Sequence, residues 1–282
     1  MFDYTYQIIS ISFVVIREME VCMKYRTAAV AGSFYPATAD QIDQELSVFL
    51  NAPSESTTQA KALIVPHAGY CYSGAVAGYA YSYLKNIAHN INRVILLGPS
   101  HRVALQGCAI SSCDFFTTPI GPIPVDKSAY TQLLDEKLVT INDQAHLLEH
   151  SLEVQLPFLQ RSLQNFVLVP IVVGQCSVQH VSQILEILKV NEPGTLVVVS
   201  SDLSHYHPYQ EAQLLDNRTI QHILNYEDHL SGQGACGCYA VNGLLSYAKK
   251  QHWPIKLLKK ANSGDTFGSK KEVVGYASFI LY

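Results

Sequence analysis

Three β-branched runs in this chain each stop just short of a histidine, and that repetition constrains the fold more than any other feature. Lys61 to Gly74, KALIVPHAGYCYSG, reads as a short buried strand closed by Pro66 that delivers His67 into a glycine-rich turn. Arg93 to Arg102, RVILLGPSHR, repeats the plan with Gly98, Pro99 and His101. Thr195 to His207, TLVVVSSDLSHYH, ends in Asp202, His205 and His207. In an open α/β sheet, ligands bind in the crevice beyond the carboxyl ends of the strands. The three strand ends are therefore expected to meet, with the rest of the chain positioning them around a metal.

The bulk of the sequence is compatible with that plan. Apolar residues make up 48% of 282 and charged residues 15%, enough for a sizeable core and against global disorder. The net charge is −4, with no basic stripe or long charge run, which argues against nucleic acid and against an anionic membrane surface as partners. The 7 cysteines are scattered and odd in number, without a CxxC pair, which suits a reducing cytoplasm better than a disulfide framework.

Along the chain, Arg26 to Pro36 (RTAAVAGSFYP) lacks periodicity and reads as an ordered loop. Thr38 to Leu50 is predicted helical, with Thr38 and Gln41 as a capping box and Ile42, Leu46 and Phe49 at helical spacing. Pro53 to Gln59 is Ser/Thr-rich and reads as a surface loop. Gly74 to Ala88 is predicted as a helix whose small residues allow close packing on a sheet. The runs at 107–111 and 121–126 read as antiparallel edge strands, given their prolines. Glu149 to Leu163 is helical in pattern until Pro157 kinks or ends it. A central strand over Phe166–Gly174, helices over 177–189, 211–226 and 240–250, and a closing strand over Val273–Leu281 complete the pattern. Strands and helices alternate with short connections, so one domain is expected.

Neutral imidazole is the commonest metal ligand and the natural acid or base near neutral pH. A single histidine after a strand is most often a hydrogen-bonded structural residue, but matched positions shift the balance toward a shared pocket. Cys236 and Cys238 lie in the glycine-dense run GQGACGCY, and on chemistry alone either thiolate could join the imidazoles. A thiolate beside two imidazoles favours Cu, Zn or Fe(II) over Mg or Ca. Glu149 either complements the dipole of the helix it starts or holds a ligand imidazole through its second nitrogen. Asp202 has the same two readings. Tyr70, Tyr72 and the GSFYP run at 32–36 are either pocket rim or ordinary packing.

AGSFYP, PHAGYCYSG, ILLGPSH, EHSLEVQLPFL, VPIVVG, SSDLSH, ACG and GYASF, in that order, resemble the MEMO family, also labelled AmmeMemoRadiSam system protein B, from about Arg26 to Tyr282. The resemblance implies a fold like that of the class III extradiol dioxygenases, which use non-haem Fe(II) to open catechol rings. It implies His67, His101 and Cys236 as metal ligands and His205 beside the metal; we further expect His205 to move protons, with Asp202 or Glu149 orienting it. The expected metal is Fe(II) or Cu, with Zn as a third option. A thiolate where the dioxygenases have a carboxylate changes both charge and softness at the metal. The family name also implies an AMMECR1-type protein and a radical SAM protein as partners, beside a small-molecule or peptide ligand. Animal relatives, associated with phosphotyrosine-peptide binding, carry tryptophan where this chain has Phe34.

The expected fold is a single α/β domain over residues 23–282, with a central mixed β-sheet, helices on both faces, and mobile loops at one sheet edge holding the pocket. The expected activity is that of a metal-dependent redox enzyme, and the rival reading is a non-catalytic metal- or peptide-binding scaffold. Residues 1–22 read as either a mis-called start or a loose extension preceding Met23. Their apolar run IISISFVVI is nine residues, too short to span a bilayer, and lacks the basic flank and cleavage site of a signal peptide. A chain starting at Met23 is expected to match the full chain in solubility and melting temperature; a large drop on truncation would show that the run packs into the core.

Overall fold

Alternate residues of the central strands go to opposite cores. Ala62, Ile64, Ile95, Leu97, Val197 and Val199 join one apolar cluster, and Leu63, Val65, Val94, Leu96, Leu196 and Val198 join another. A strand buried on both faces needs an unbroken apolar run, which is why these segments lack polar alternation. The computed structural model describes residues 22–51 and 60–282; IISISFVVI and the Ser/Thr-rich run at 53–59 lie outside the described residues.

The strands are β1 (Tyr25–Arg26), β2 (Ala62–Val65), β3 (Arg93–Pro99), β4 (Cys108–Ile110), β5 (Phe115–Thr118), β6 (Gly121–Pro124), β7 (Val139–Ile141), β8 (Val167–Val173), β9 (Thr195–Ser200), β10 (His205–His207), β11 (Ile255–Asn262) and β12 (Val273–Leu281). The α-helices are α1 (Ala39–Phe49), α2 (Ala75–Ser82), α3 (Ser128–Asp135), α4 (Asp143–Leu147), α5 (His150–Glu153), α6 (Leu156–Ser162), α7 (Val178–Ile187), α8 (Tyr209–Leu224) and α9 (Cys238–Gln251). The main sheet runs β10-β12-β2-β9-β3-β8-β4-β7, with β11 paired to β12. Its centre, β2-β9-β3-β8, is parallel, and β12 and β4 flank it in antiparallel pairing. Helices α3, α7, α8 and α9 contribute to the first cluster, and α1, α2 and α6 to the second. This is the mixed sheet with helices on both faces. Among the described residues no helix is long and apolar enough to cross a membrane.

Several local expectations shift. The run at 107–111 is no edge: β4 lies between β8 and β7. Only the proline-bearing run at 121–126 supplies an edge strand, β6 of a small sheet β1-β5-β6. The helix after His67 opens with a π turn over Tyr70–Gly74, and α2 stops at Ser82. Its glycines face α1 rather than the sheet: a Cβ on Gly78 would lie 2.5 Å from Phe49 Cβ and 2.8 Å from the Phe49 carbonyl oxygen. Thr38 caps α1, but the Gln41 side chain meets the Thr38 hydroxyl instead of its backbone N–H, so the reciprocal box is absent. The helical run 149–163 breaks ahead of Pro157, which sits in the first turn of α6, where its missing N–H costs nothing. Strand β11, IKLLKKAN, escapes the sequence reading because its lysines and partial exposure hide the alternation.

One polar hub crosses this scaffold. Glu153, fully buried, pairs with Arg26 and accepts hydrogen bonds from Ala29 N (2.8 Å), Val30 N (3.0 Å) and Tyr35 Oη (2.8 Å). Arg26 also donates to the carbonyls of His146 (3.1 Å) and Glu149 (2.7 Å). Glu153→Ala is expected to cost about 3–5 kcal/mol, because it leaves a buried guanidinium unpaired. Urea unfolding checks this; a loss under about 1 kcal/mol would show that the hub is peripheral.

Candidate metal centre

His67, His101 and Asp202 come from the C-terminal ends of β2, β3 and β9, which are neighbours in the order β2-β9-β3. The pocket therefore lies over the middle of the sheet, not at a lateral edge. The chain leaves β2 through Pro66, whose carbonyl accepts from Gln155 Nε2 at 2.9 Å. The backbone N–H of His67 then donates to Asp202 Oδ1 at 2.8 Å, tying the ends of β2 and β9 together.

Hydrogen bonds select the nitrogen each imidazole presents. Ser200 Oγ donates its one proton to the Ser151 carbonyl (2.7 Å) and accepts from Gln155 Nε2 (2.8 Å). Toward His67 Nδ1, 2.9 Å away, it can only accept, so Nδ1 carries the hydrogen and Nε2 keeps its lone pair. His101 is held in the same way: Nδ1 lies 2.8 Å from Glu149 Oε1, while Glu149 Oε2 accepts from the His101 backbone N–H at 2.6 Å. Glu149 also caps α5 through Ser151 N at 2.9 Å, so its two sequence readings hold together. Burial opposes the charge on Glu149, but its bonds and charge interaction with His101, and the Ser151 amide, outweigh this and hold its carboxyl down at about 2.

The thiol of Cys236 completes a cluster. Its Sγ lies 3.4 Å from His67 Nε2, and a donor atom from each of His67, His101 and Cys236 falls within 4.8 Å of the others. Gly237 allows the approach, since a Cβ there would lie 2.7 Å from the Ser200 carbonyl oxygen. Cys238 turns away into the apolar core. Burial, then the charge of Asp202, push the Cys236 thiol up. Burial likewise raises Asp202 to about 7 against the backbone N–H groups of His67 and Ala68. His67 moves the other way: burial, then neighbouring imidazoles, depress it well below its ordinary value, so it is neutral at pH 7. Two imidazoles whose Nδ1 atoms are already engaged, beside a buried thiol, fit a soft or borderline cation, whose charge would favour the thiolate.

The cavity above these groups has a volume of about 630 Å³. Phe34, Tyr72, Arg102, His150, His205 and Tyr276 line it with His67, His101 and Asp202. Phe34 is rim, its ring 4.7 Å from His150, whereas Tyr70 is packing, with its Oη donating to the Val154 carbonyl. His150 is the functional-type residue that sequence reasoning missed: it stacks on His101 at 4.6 Å and 24°. Its one sequence signal was adjacency to Glu149. Ser200 and Gln155, which orient His67, carried no signal.

His205 and His207 part company. Tyr206 between them is left-handed (φ 60°), and the pairing of β10 with β12 slips there. The bulge breaks the alternation that would put both rings on one side. His205 faces the cavity, and His207 lies 3.0 Å from Glu211 on α8. Neither Asp202 nor Glu149 orients His205, contrary to expectation: both carboxylates are engaged at the other two histidines. Burial depresses His205 below its ordinary value.

The fold and site together define a mixed α/β domain with a histidine–cysteine cluster at the C-terminal ends of its central strands. A sequence model described as Memo-like protein matches residues 26–280, and the chain belongs to that family. A MEMO1 family protein of Sulfurisphaera tokodaii is 34% identical over 90% of this chain and 98% of its own length. Relatives of the same description in Sulfolobus acidocaldarius (35%, 90% of this chain and 98% of its own) and Aquifex aeolicus (34%, 92% and 100%) are similar. Among solved structures, an uncharacterized protein, JW3007, from Escherichia coli K12 aligns over 78% of this chain and 99% of its own, at 14% identity and a TM-score of 0.48.

Burial pushes His150 down to about 4 despite the opposing pull of Glu149. A histidine depressed in the folded state binds its proton more readily when unfolded. Its stabilising share is present above the unfolded value of about 6.5 and is lost as pH falls toward the folded value. His150→Phe is therefore expected to lose less stability between pH 7 and pH 5 than the parent chain, measured as urea midpoints. An equal loss in both would show that His150 takes up its proton without cost.

Proposed function

We propose that this protein is a metal-dependent redox enzyme with a dioxygenase-like pocket, acting on a small substrate, with His67, His101 and Cys236 holding Fe(II) or Cu. Zn is the third option for the same donors. The observation that carries the reading is the pair of imidazoles whose Nδ1 atoms are engaged by Ser200 and Glu149, with His67 Nε2 3.4 Å from the Cys236 sulfur and a ligand atom of His101 within 4.8 Å of both. That arrangement of outer partners is how proteins fix the tautomer and direction of ligating histidines.

The ion would supply Lewis-acid or one-electron chemistry to a substrate bound in the cavity. The protein's own groups do the rest. His205, kept neutral by burial, faces the cavity and would accept a proton from a bound small molecule. Glu149 holds His101 in direction, and Asp202 fixes the backbone of His67. Burial favours the protonated form of Asp202, whose backbone N–H donates to Cys236 Sγ at 3.2 Å. Phe34, Tyr72 and Tyr276 form an aromatic wall for a flat substrate, with Arg102 as the cationic group lining the cavity.

A second reading is a metal- or peptide-binding scaffold working with an AMMECR1-type protein and a radical SAM protein. Exposed aromatics favour it: Tyr206 (72% exposed) lines the cavity, and Phe267 (77%) packs on the lining residue Tyr72. Exposed aromatic rings beside a cavity suit a docking partner.

Metal titrations of anaerobically purified variants, with elemental analysis, test the assignment. His67→Ala, His101→Ala and Cys236→Ser are each expected to weaken binding by more than the roughly 10–100-fold typical of losing an outer-shell partner. Cys238→Ser should bind as the parent does. His205→Ala should keep the affinity and abolish oxygen consumption with catechols. Full-strength binding by Cys236→Ser overturns the thiolate assignment. A metal-loaded parent chain that consumes no oxygen with any catechol but binds a partner protein tightly favours the scaffold.

A further inference from the structure

Away from the pocket, three more metal-type donors converge. Glu227 Oε2 lies 3.6 Å from His222 Nε2 and 3.8 Å from His229 Nε2, and the three donor atoms fall within 4.8 Å of one another. The imidazole rings are 5.5 Å apart. We infer that His222, Glu227 and His229 form a second, solvent-open site for a borderline divalent transition-metal ion.

The distances decide between this and an ordinary surface contact. Both are too long for hydrogen bonds, so no direct bond explains why two imidazoles turn to the same carboxylate oxygen. An exposed ion pair is worth about 0–1 kcal/mol and does not require both rings. A tetrahedral zinc ion with bonds of about 2.0–2.2 Å holds its ligand atoms roughly 3.3–3.5 Å apart. The two measured separations exceed that by only a few tenths of an ångström. Two nitrogens and one carboxylate oxygen suit Zn(II), Cu(II) or Ni(II), whereas Mg and Ca prefer all-oxygen surroundings.

The backbone that carries the donors is fixed on both sides. His222 is in the last turn of α8, and the chain then reverses through Tyr226, left-handed at φ 57°, with Glu227 N donating to the His222 carbonyl at 2.9 Å. Tyr226 Oη donates to the Trp253 carbonyl at 2.7 Å. Beyond His229, Asn242 bonds both the N–H and the carbonyl of Leu230 at 2.9 Å. Asn225 Nδ2 occupies the second oxygen of Glu227 at 3.4 Å, leaving Oε2 to the ion. With three protein donors and the rings partly exposed, the remaining positions go to water and the ion exchanges with solvent. The chain runs on from His229 to Cys236, so an ion here ties the end of α8 to the segment that enters the pocket.

Zinc titration by calorimetry of the full chain, the His222→Gln/His229→Gln double variant, Glu227→Gln and Cys236→Ser tests this. All are first compared in EDTA, where the double variant and Glu227→Gln should melt with the parent because the three side chains are at the surface. The parent is expected to bind one more equivalent of zinc than the double variant, and Glu227→Gln should weaken that equivalent about tenfold or more. Cys236→Ser should retain it. Cobalt(II) separates the two sites: only one containing Cys236 gives a sulfur-to-metal charge-transfer band, and this band should survive in the double variant if the pocket binds cobalt. If the pocket takes no ion, the parent binds one equivalent and the double variant none, which supports the surface site while the pocket reading fails. Equal zinc stoichiometry in parent and double variant overturns the inference.

Discussion

A carboxylate with no access to water must be fully satisfied by protein, and Glu153 meets that demand by drawing distant segments together. Its partners are the guanidinium of Arg26, the amides of Ala29 and Val30, and the phenol of Tyr35. Leaving any of them unpaired at this depth would cost the desolvation of a buried polar group. The irregular segment 26–36 is thus fixed without forming a helix or a long strand. It is pressed against the turn that carries Glu149 and His150. Phe34 on one side and His150 on the other then become parts of one wall.

The same economy governs the cluster itself. Ser200 serves Ser151, Gln155 and His67 at once, and Glu149 serves His101 twice and Ser151 once. Such networks are rigid because their members hold one another, and the Ser200 hydroxyl has no spare capacity. That rigidity suits a site whose donors must stand ready before a ligand arrives, since preorganised groups do not have to be ordered by binding.

What could be read from the sequence was what has a short repeat. The buried runs ending at His67, His101 and Asp202 announced three strands, and the alternation was invisible only because both faces are covered. The boundaries of β12 and the N-cap Thr38 were equally legible. What could not be read depends on partners far along the chain. Cys236 and Cys238 look alike in sequence, and only the three-dimensional path of the turn turns one toward His67 and the other into the core. Likewise nothing local marks Ser200 or Gln155, and lysines mask β11. The placing of Gly74 and Gly78 against Phe49 is a helix–helix matter that composition reports only as smallness.

The left-handed Tyr206 adds a point about how the pocket's chemistry is encoded. Two histidines flank it, and they are nearly equivalent as sequence; the backbone slip alone gives one to the cavity and the other to Glu211. Which imidazole serves the pocket is therefore a property of register. A one-residue shift of the segment would bring Tyr206 or Ser204 to that place and a two-residue shift the other imidazole, so drift in chain length here would change the proton chemistry of the cavity without altering a single side chain that lines the rest of it.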